Sequence, residues 1–204
     1  MEISIHQRCP LRPMRAHDSP NLHMVYPWRG LGKQDWARRV FVSTYEGAID
    51  AKGRVSIPAP FRAALGGSSR VFVWQAPDGS GALEGGGEEL MELYRETLAE
   101  LPLQSPIREA IVTCIIAASA ELKIDDTGRV KLPEDLCEAG ELSGKIKFSG
   151  QMDSFRIWNP ERFSLHQMRM RSIVTAPETL DAFASAYNRV RQRRMAAGRG
   201  GEGS

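Results

Sequence analysis

The stretch Ile49-Asp50-Ala51-Lys52-Gly53-Arg54-Val55-Ser56-Ile57-Pro58 occurs twice in this chain of 204 residues. It returns 75 positions later as Ile124-Asp125-Asp126-Thr127-Gly128-Arg129-Val130-Lys131-Leu132-Pro133. Seven of thirteen positions are identical, without a gap, when Glu46–Pro58 is aligned with Glu121–Pro133. So close an internal repeat indicates two copies of one structural unit, and the rest of the chain is predicted to fold around them.

Each copy of the repeat has the pattern of a β-hairpin. An Asp at the first turn position and a Gly at the fourth are typical of a tight bulged turn. After the turn, Val55 alternates with Arg54 and Ser56, as side chains do on opposite faces of a strand. We therefore predict two hairpins whose loops are shaped by Asp50, Gly53, Asp125 and Gly128. The prolines that end the two copies suit the first turn of a short helix, predicted over 59–65 and 134–139.

The Asp and the Arg of each loop have two interpretations. In the structural one, the Asp caps the turn and the Arg lies along the sheet edge, and for a single copy the two interpretations are about equally good. The repeat favours the functional one, because the same loop presents a forked, permanently charged donor twice. Such a pair suits a ligand with repeated acceptors, such as duplex DNA.

The motif resembles that of a known family. Asp-x-Lys-Gly-Arg-Val-Ser-Ile-Pro, followed by Phe61 and Arg62 and paired with a weaker Asp-x-x-Gly-Arg-Val-x-Leu-Pro copy, is similar to the MraZ family of bacterial transcriptional regulators. The stretch Gly150–Phe163 also resembles the second repeat of that family, so the resemblance covers roughly residues 41–163.

The resemblance implies a fold, a function and an assembly. It implies an α+β fold in which two SpoVT-AbrB modules form a tandem swapped-hairpin, or double-split, β-barrel with linking and C-terminal helices. It implies sequence-specific binding to promoter direct repeats upstream of the division and cell wall gene cluster, including the chain's own gene. It also implies a homo-oligomer in the form of a ring.

The predicted DNA contacts follow from the motif. Arg54 and Arg129 are expected to be the principal contacts, and Lys52, Arg62 and Lys131 are expected to contact the DNA backbone. The second loop has Asp126 and Thr127 where the first has Ala51 and Lys52. We therefore expect the two loops to contribute unequally.

The chain divides into five predicted segments. These are a disordered or mis-annotated leader (1–39), module 1 (40–87), linking helices (88–118), module 2 (119–163), and a C-terminal helix with a basic disordered tail (164–204). The leader has no hydrophobic periodicity, and the Val40-Phe41 pair stands where the family usually begins. One hypothesis is therefore that Val40 is the true start, and a genuine extension is the alternative.

Helices and a glycine-rich segment are predicted between and after the modules. An amphipathic helix is predicted over 88–101, and a nearly all-apolar helix through about Ala118 is expected to be buried, with Cys114 in the core. Two more are predicted from Pro160 to about Arg171 and from Pro177 to about Arg194. The segment Asp78–Gly87 is expected to be a flexible loop, apart from a final strand over 82–84.

The charge pattern sets a condition on DNA binding. The net charge is +2, but residues 40–188 carry 15 basic and 21 acidic side chains, and the acids cluster in 84–109. Phosphate attraction supplies most non-specific affinity for DNA. The DNA-binding prediction therefore requires that the basic residues gather on one face.

Catalysis, metal binding and membrane insertion are not expected. Three cysteines without CxxC spacing indicate a reduced cytosol, and no nucleophile–base pattern or metal-ligand spacing is present. We therefore expect no enzyme activity, cofactor, metal, membrane association or small-molecule substrate, and a cytoplasmic location on the nucleoid. The alternative function is an antitoxin-like AbrB-fold module that binds a partner protein.

Overall fold

The structure is a computed structural model, and it describes residues 40–199, with side chains to residue 196. The predicted leader over 1–39 and the end of the predicted tail lie outside the described residues.

Eight strands form one antiparallel sheet. They are β1 (Thr44–Ile49), β2 (Arg54–Ser56), β3 (Arg70–Gln75) and β4 (Leu83–Gly86) from the first repeat, and β5 (Ala120–Lys123), β6 (Arg129–Lys131), β7 (Gly144–Gly150) and β8 (Phe155–Trp158) from the second. Their order in the sheet is β5-β3-β4-β8-β7-β1-β2-β6. The two outer strands meet where the backbone N–H of Asp125 donates to the carbonyl of Arg129 at 2.8 Å. The sheet therefore curls into a nearly closed barrel.

The two repeats exchange their first strands. β1 pairs with β7, placing Thr44 opposite Ser149, and β5 pairs in the equivalent way with β3, placing Arg70 opposite Lys123. Equivalent strands also pair with each other: Val55 lies opposite Val130 in β2 and β6. The chain thus forms a pseudo-two-fold unit, which confirms the α+β fold with a tandem AbrB-like swapped-hairpin barrel.

Each predicted hairpin is shorter than its alternating pattern suggests. In the first copy, only Ile49 and Val55 lie in register between β1 and β2, next to the hydrogen bond from Asp50 N to Arg54 O at 3.0 Å. Most backbone groups of β1 are instead satisfied by β7, because a buried strand must find partners for all its N–H and C=O groups. The tight turns are therefore local, whereas the long ladders join the repeats.

Aromatic rings fill the core around the helix after the first turn. The ring of Phe61 lies 5.2–6.1 Å, between centroids, from those of Phe41, Tyr45, Phe148 and Phe155. Removing such a buried ring costs about 3–5 kcal/mol of stability. This contact fixes the helix that carries Phe61 against both repeats.

The helices follow the predicted order. They are α1 (Ala59–Ala64), α2 (Glu88–Ala99), α3 (Pro106–Ile111), α4 (Glu134–Ala139), α5 (Pro160–Val174) and α6 (Pro177–Arg199), and a π-helical turn, Val112–Ile116, continues α3. Asn159 caps α5, since its Oδ1 accepts from Glu161 N at 2.9 Å and Arg162 N at 3.3 Å. The helix α6 extends beyond the predicted end near Arg194.

The segment after Ser105 is not buried as predicted. Only Ile115 is in the core, whereas Ile107 is 61% exposed and the predicted core residue Cys114 is exposed. The physical reason is that a helix that is apolar on all sides can turn only one face to the barrel. The remaining apolar faces of α3 and its π-helical continuation are exposed on the single chain.

The glycine-rich segment is more ordered than predicted. It contains β4, which extends to Gly86, and both Gly85 and Gly86 are buried. A Cβ atom at Gly85 would lie 2.8 Å from the Phe155 ring, and one at Gly86 would lie 2.4 Å from Leu90. These glycines therefore allow close packing of the strand against the core and α2.

Candidate nucleic-acid interface

The strands β2 and β6 form a two-stranded ribbon at the pseudo-two-fold axis. Val55 and Val130 are buried opposite each other. On the other face, Arg54 lies opposite Lys131, and Arg129 lies opposite Ser56, and all four are exposed. The exposed face of this ribbon therefore carries three cations within two neighbouring residue pairs.

The first loop holds its arginine through a direct ion pair. Asp50 Oδ1 accepts from the backbone N–H groups of Lys52 and Arg54, both at 2.9 Å, and Asp50 Oδ2 accepts from Arg54 Nε at 2.7 Å. The Arg54 backbone N–H and guanidinium are the main reasons that the pKa of Asp50 falls to about 2. The terminal Nη groups of Arg54 make no hydrogen bond within the described residues, so they can donate to a ligand.

The second loop has the same backbone but a different side-chain arrangement. Asp125 Oδ1 accepts from the N–H groups of Thr127 and Arg129, again at 2.9 Å. Arg129 Nε, however, donates to the Thr127 hydroxyl at 2.9 Å, and that hydroxyl donates to Asp125 Oδ1 at 2.6 Å. This hydroxyl hydrogen bond is the largest cause of the lowered pKa of Asp125. Arg129 is thus held by the uncharged Thr127 hydroxyl, whereas Arg54 is held by a direct ion pair with its Asp.

Each loop packs against a residue of the other repeat. Backbone hydrogen bonds join Ile57 N to Gly128 O at 3.0 Å and, equivalently, Leu132 N to Gly53 O at 2.9 Å. Arg62 Nη1 donates to the Thr127 carbonyl at 3.4 Å and covers Gly128. Each loop is therefore anchored by a backbone hydrogen bond to the end of the ribbon strand of the other repeat.

The predicted site residues fall into two groups. Arg54, Arg129 and Lys131 lie on the ribbon, and Lys52 is exposed in the first loop. Arg62 is half-buried on α1, and its guanidinium faces the second loop. The geometry thus brings four of the five predicted contacts together and places the fifth where it supports a loop.

Two residues at the site were missed by sequence reasoning. Thr127 links Asp125 to Arg129, and a hydroxyl two positions after a turn Asp is a signal that could have identified it. Cys137 is the repeat equivalent of Arg62, and its Sγ would lie 3.8 Å from a Cβ at Gly53. Only the 75-residue offset could have indicated that position.

Charged residues are distributed unequally between the two repeats in the sequence. Residues 51–70 contain four Lys or Arg and no acid, whereas α2 carries four Glu. The second loop itself differs, because Asp126 lies in it, whereas α4, which carries Glu134 and Asp135 in its first turn, packs with Cys137 beside Gly53 of the first loop. Within the loops themselves, the cationic character is therefore stronger in the first one.

The opposite end of the pseudo-two-fold axis is electrostatically neutralised. There Arg156 lies opposite Glu84 in β8 and β4, and its Nη1 is 2.7 Å from Asp78. Burial would raise the pKa of Asp78, but hydrogen bonds from Ser80 and Arg156 hold it at about 2. Arg156 is only 15% exposed, so it stabilises the barrel and is not available to a ligand.

The described residues contain neither a metal-ligand cluster nor a membrane span. Within residues 40–199, no three His, Cys, Asp or Glu side chains are placed to hold a metal ion. None of the helices in that range is long and apolar enough to cross a bilayer.

Comparison with known proteins identifies relatives across most of the chain. A family model described as "MraZ protein, putative antitoxin-like" matches residues 40–77. A "Transcriptional regulator MraZ" of Hyphomonas neptunium is 99% identical over 165 residues, which are 81% of this chain and the whole relative. Those of Phenylobacterium zucineum and Azorhizobium caulinodans are each 36% identical, over 66% and 80% of this chain and 84% and 96% of their own lengths.

The strand exchange and the paired Asp–Arg turns define the class: a single-chain, tandem AbrB-like swapped-hairpin barrel. Within that class, the relatives decide the family, since each is matched over more than two thirds of its length at more than 30% identity. The chain belongs to the MraZ family.

Proposed function

We propose that this chain is a sequence-specific DNA-binding transcriptional regulator that reads DNA with the β2–β6 ribbon and its two loops. The observation that carries the proposal is the register of the ribbon, which sets Arg54 opposite Lys131 and Arg129 two residues along on the partner strand. A two-stranded ribbon fits the major groove of B-DNA, and arginine is the commonest specific contact to guanine there. The names of the curated relatives also support this function.

Arg54 and Arg129 have the principal roles. Each arginine is oriented at its Nε by its own loop, so its terminal nitrogens are free to bond base edges or phosphates. Lys52 and Lys131 add phosphate contacts, which raise affinity without reading sequence. Arg62 acts through the Thr127 carbonyl, as a positioning residue for the second loop.

Self-assembly belongs to the same proposal. A single ribbon offers few contacts, so tight binding requires several copies that engage repeated DNA boxes at once. The exposed apolar side chains of α3 and α6 supply surface for a homo-oligomer, which the family resemblance implies to be a ring. A larger promoter fragment with several boxes should therefore bind far more tightly than a fragment with one.

The target and the location follow from the family resemblance. We place the operator upstream of the division and cell wall gene cluster, including the chain's own gene. The protein is then cytoplasmic, acts on the nucleoid, and works without catalysis or a cofactor.

The alternative is a module that binds a partner protein. The phrase "antitoxin-like" in the description of the matching family model favours it. In that case the exposed helices would be the functional surface, and the ribbon arginines would stabilise only their own loops. DNA binding by the purified chain separates the two functions.

The test is a mobility-shift titration with the region upstream of the chain's own gene. The wild-type chain should shift this fragment at lower concentration than a scrambled fragment. The double substitution Arg54→Ala, Arg129→Ala should abolish the shift, because a specific contact is worth about 1–3 kcal/mol per site and the loss is multiplied over the copies engaged.

A matched control removes two arginines elsewhere. Arg169 and Arg171 are exposed on α5, away from the ribbon, so Arg169→Ala, Arg171→Ala should bind almost normally. Circular dichroism and light scattering must show that both variants fold and assemble. Normal operator binding by a folded, assembled ribbon variant would overturn the proposal.

A further inference from the structure

The exposed face of the β2–β6 ribbon breaks the pseudo-two-fold symmetry of the barrel at one position. The 75-residue offset relates the two ribbon arginines to each other, and likewise the two valines, but it relates Ser56 to Lys131. Both Ser56 and Lys131 are exposed, and neither side chain makes a hydrogen bond or an ion pair within residues 40–196. Both are therefore available to a ligand that lies on the ribbon.

The antiparallel register turns this one difference into two unlike ends of the ribbon. Lys131 lies opposite Arg54, and we call this pair the Arg–Lys end; Ser56 lies opposite Arg129, and we call this pair the Arg–Ser end. Side chains that lie opposite each other in an antiparallel ladder have Cβ atoms about 5 Å apart. Base pairs are stacked about 3.4 Å apart, so each end can reach one or two neighbouring base pairs.

The two ends differ in the base edges that they can bond. The ammonium group of Lys131 only donates, so beside Arg54 it suits acceptors such as the O6 and N7 atoms of guanine. The hydroxyl group of Ser56 both donates and accepts, so beside Arg129 it can also accept from the amino group of adenine or cytosine. The Arg–Lys end and the Arg–Ser end therefore favour different bases.

The helices next to the loops leave this difference in place. α4 carries Glu134 and Asp135 in its first turn and packs beside Gly53 of the first loop, whereas Arg62 of α1 lies beside the second loop. These helix charges partly offset the charge difference between the loops, so long-range attraction to phosphates orients the chain weakly. Base contacts from the ribbon face depend instead on the donors and acceptors of the two ends.

We propose that Ser56 and Lys131 orient this chain on its DNA, so that the ribbon reads a box whose two halves differ. This inference deepens the proposed function and rests on it. A protein face with exact two-fold symmetry is matched by a palindromic site. A ribbon with unlike ends is matched instead by a non-palindromic box, with the Arg–Lys end on one half and the Arg–Ser end on the other.

The test makes the ribbon symmetric in two ways. Ser56→Lys places an arginine beside a lysine at both ends, and Lys131→Ser places an arginine beside a serine at both. Each substitution repeats a side-chain pair that the wild-type ribbon already contains, so the barrel should stay folded, which near-ultraviolet circular dichroism checks. Ser172→Lys adds the same charge at an exposed position of α5 and serves as the control.

The probes are DNA fragments with a natural box or a symmetrised one. The natural box comes from the region upstream of the chain's own gene, and each symmetrised box joins one half of it to an inverted copy of that half. The wild-type chain and the Ser172→Lys variant should bind the natural box about tenfold more tightly than either symmetrised box. Ser56→Lys should prefer one symmetrised box to the natural one, and Lys131→Ser should prefer the other.

Opposite preferences of the two ribbon variants are the result that supports the inference. It is overturned if both variants keep the wild-type preference, if both choose the same symmetrised box, or if the wild-type chain binds all the fragments equally. The double substitution Arg54→Ala, Arg129→Ala separates this failure from that of the proposed function. If that variant loses binding while the preferences of the Ser56 and Lys131 variants are unchanged, only the orientation is wrong. A wild-type chain that binds none of the fragments would overturn both.

Discussion

The two hairpin loops share one backbone and differ in their side chains. In both, the Asp accepts two N–H groups at 2.9 Å, and the Gly has a positive φ, at 76° in Gly53 and 78° in Gly128. The first loop then joins its Asp and Arg directly, whereas the second inserts the Thr127 hydroxyl between them. The Asp and the Gly therefore determine the turn, while the residues between them set its charge.

That charge differs by two between the loops. Residues 50–54 carry one acid and two cations, whereas 125–129 carry two acids and one cation. Phosphates therefore attract the first loop and meet a weaker, partly repulsive field at the second. If the ribbon reads DNA, the first loop should dominate affinity.

The largest effect is expected from removing the arginines one at a time. Arg54→Ala should weaken operator binding more than Arg129→Ala, by at least several-fold, because Lys52 supports the first loop and Asp126 opposes the second. Binding isotherms at several salt concentrations measure this difference. Loss of a phosphate contact should make the decline of log K, the logarithm of the binding constant, with the logarithm of the salt concentration less steep by about 1.

The converse substitution adds a cation to the second loop. Thr127→Lys gives the second loop the cation that Lys52 provides in the first. The salt dependence of the DNA-binding constant should become steeper, as expected for two equal loops. An equal loss from both single arginine variants in the wild-type background would show that loop charge does not decide affinity.

Replacing the turn glycines should affect stability unequally. An Ala at either position adopts a left-handed conformation that costs about 1–2 kcal/mol. At Gly53 the new Cβ would also lie 2.8 Å from the Leu132 carbonyl, which is rigid backbone. At Gly128 it meets the end of Arg62, a flexible side chain that can move away. Gly53→Ala should therefore lower the free energy of unfolding more than Gly128→Ala.

Urea unfolding measures both substitutions against a control. Gly67 has a φ of +84°, and no atom lies within 4 Å of the position that a Cβ would take there, so Gly67→Ala isolates the conformational cost. A Gly53→Ala variant as stable as Gly67→Ala would show that the Leu132 carbonyl yields easily.

The repeat explains why so much of the barrel could be predicted. The two copies of the motif have Asp, Gly, Arg and Pro at matched positions, and these residues specify the turns and the short helices locally. The exchange of strands between the repeats was predicted only from the family resemblance. Residue periodicity alone indicated hairpins, because it reports which face of a strand is apolar and not which strand pairs with it. The partner of β1 lies about 100 residues away along the chain, beyond the reach of any local pattern.

Burial of the linking segment could not be predicted in the same way. Apolar residues on all sides of a helix indicate that something covers them, but not whether the cover belongs to the same chain. The pattern therefore predicts Cys114 in a core, whereas in the described part of the chain it is exposed. Within the site, the motif indicates Arg62 as a contact to the DNA backbone, and the position of its guanidinium beside the second loop could not be read from the sequence.

Arg62 should support the second loop selectively. Arg62→Gln removes the hydrogen bond to the Thr127 carbonyl, so amide hydrogen exchange should speed up at Thr127 and Arg129 and stay unchanged at Lys52 and Arg54. DNA binding should fall less than with Arg129→Ala, since the loop is loosened but its arginine remains.

The repeat equivalent provides the matched control. Cys137 lies beside the first loop, and its Sγ makes only a long 4.0 Å contact with the Leu132 carbonyl, so Cys137→Ala should leave exchange in both loops nearly unchanged. Faster exchange in both loops of the Arg62 variant would mean that it disturbs the barrel as a whole.

The smallest effect is expected from pH. The pKa of Asp50 lies at about 2 against an ordinary value of 3.8, chiefly because the Arg54 backbone N–H and guanidinium stabilise the carboxylate. A pKa lowered on folding gives stability that is complete above the ordinary pKa and is lost as pH falls through the folded value. The contribution of Asp50 should thus be constant above about pH 4 and disappear between about 4 and 2. At neutral pH it cannot modulate DNA binding.

Carbon-13 NMR of the carboxyl groups measures this directly. The Asp50 signal should titrate with a midpoint near 2 in the wild-type chain. Substituting Arg54→Ala removes the guanidinium but keeps the backbone N–H, so the midpoint should rise only part of the way to 3.8. Asp125 has no direct ion pair within the described residues, and its lowered pKa depends first on the Thr127 hydroxyl. Thr127→Val should therefore raise the Asp125 midpoint, whereas Arg129→Ala should change it less. If Arg129→Ala has the larger effect, the arginine of the second loop acts on its Asp directly, and the two loops are electrostatically alike.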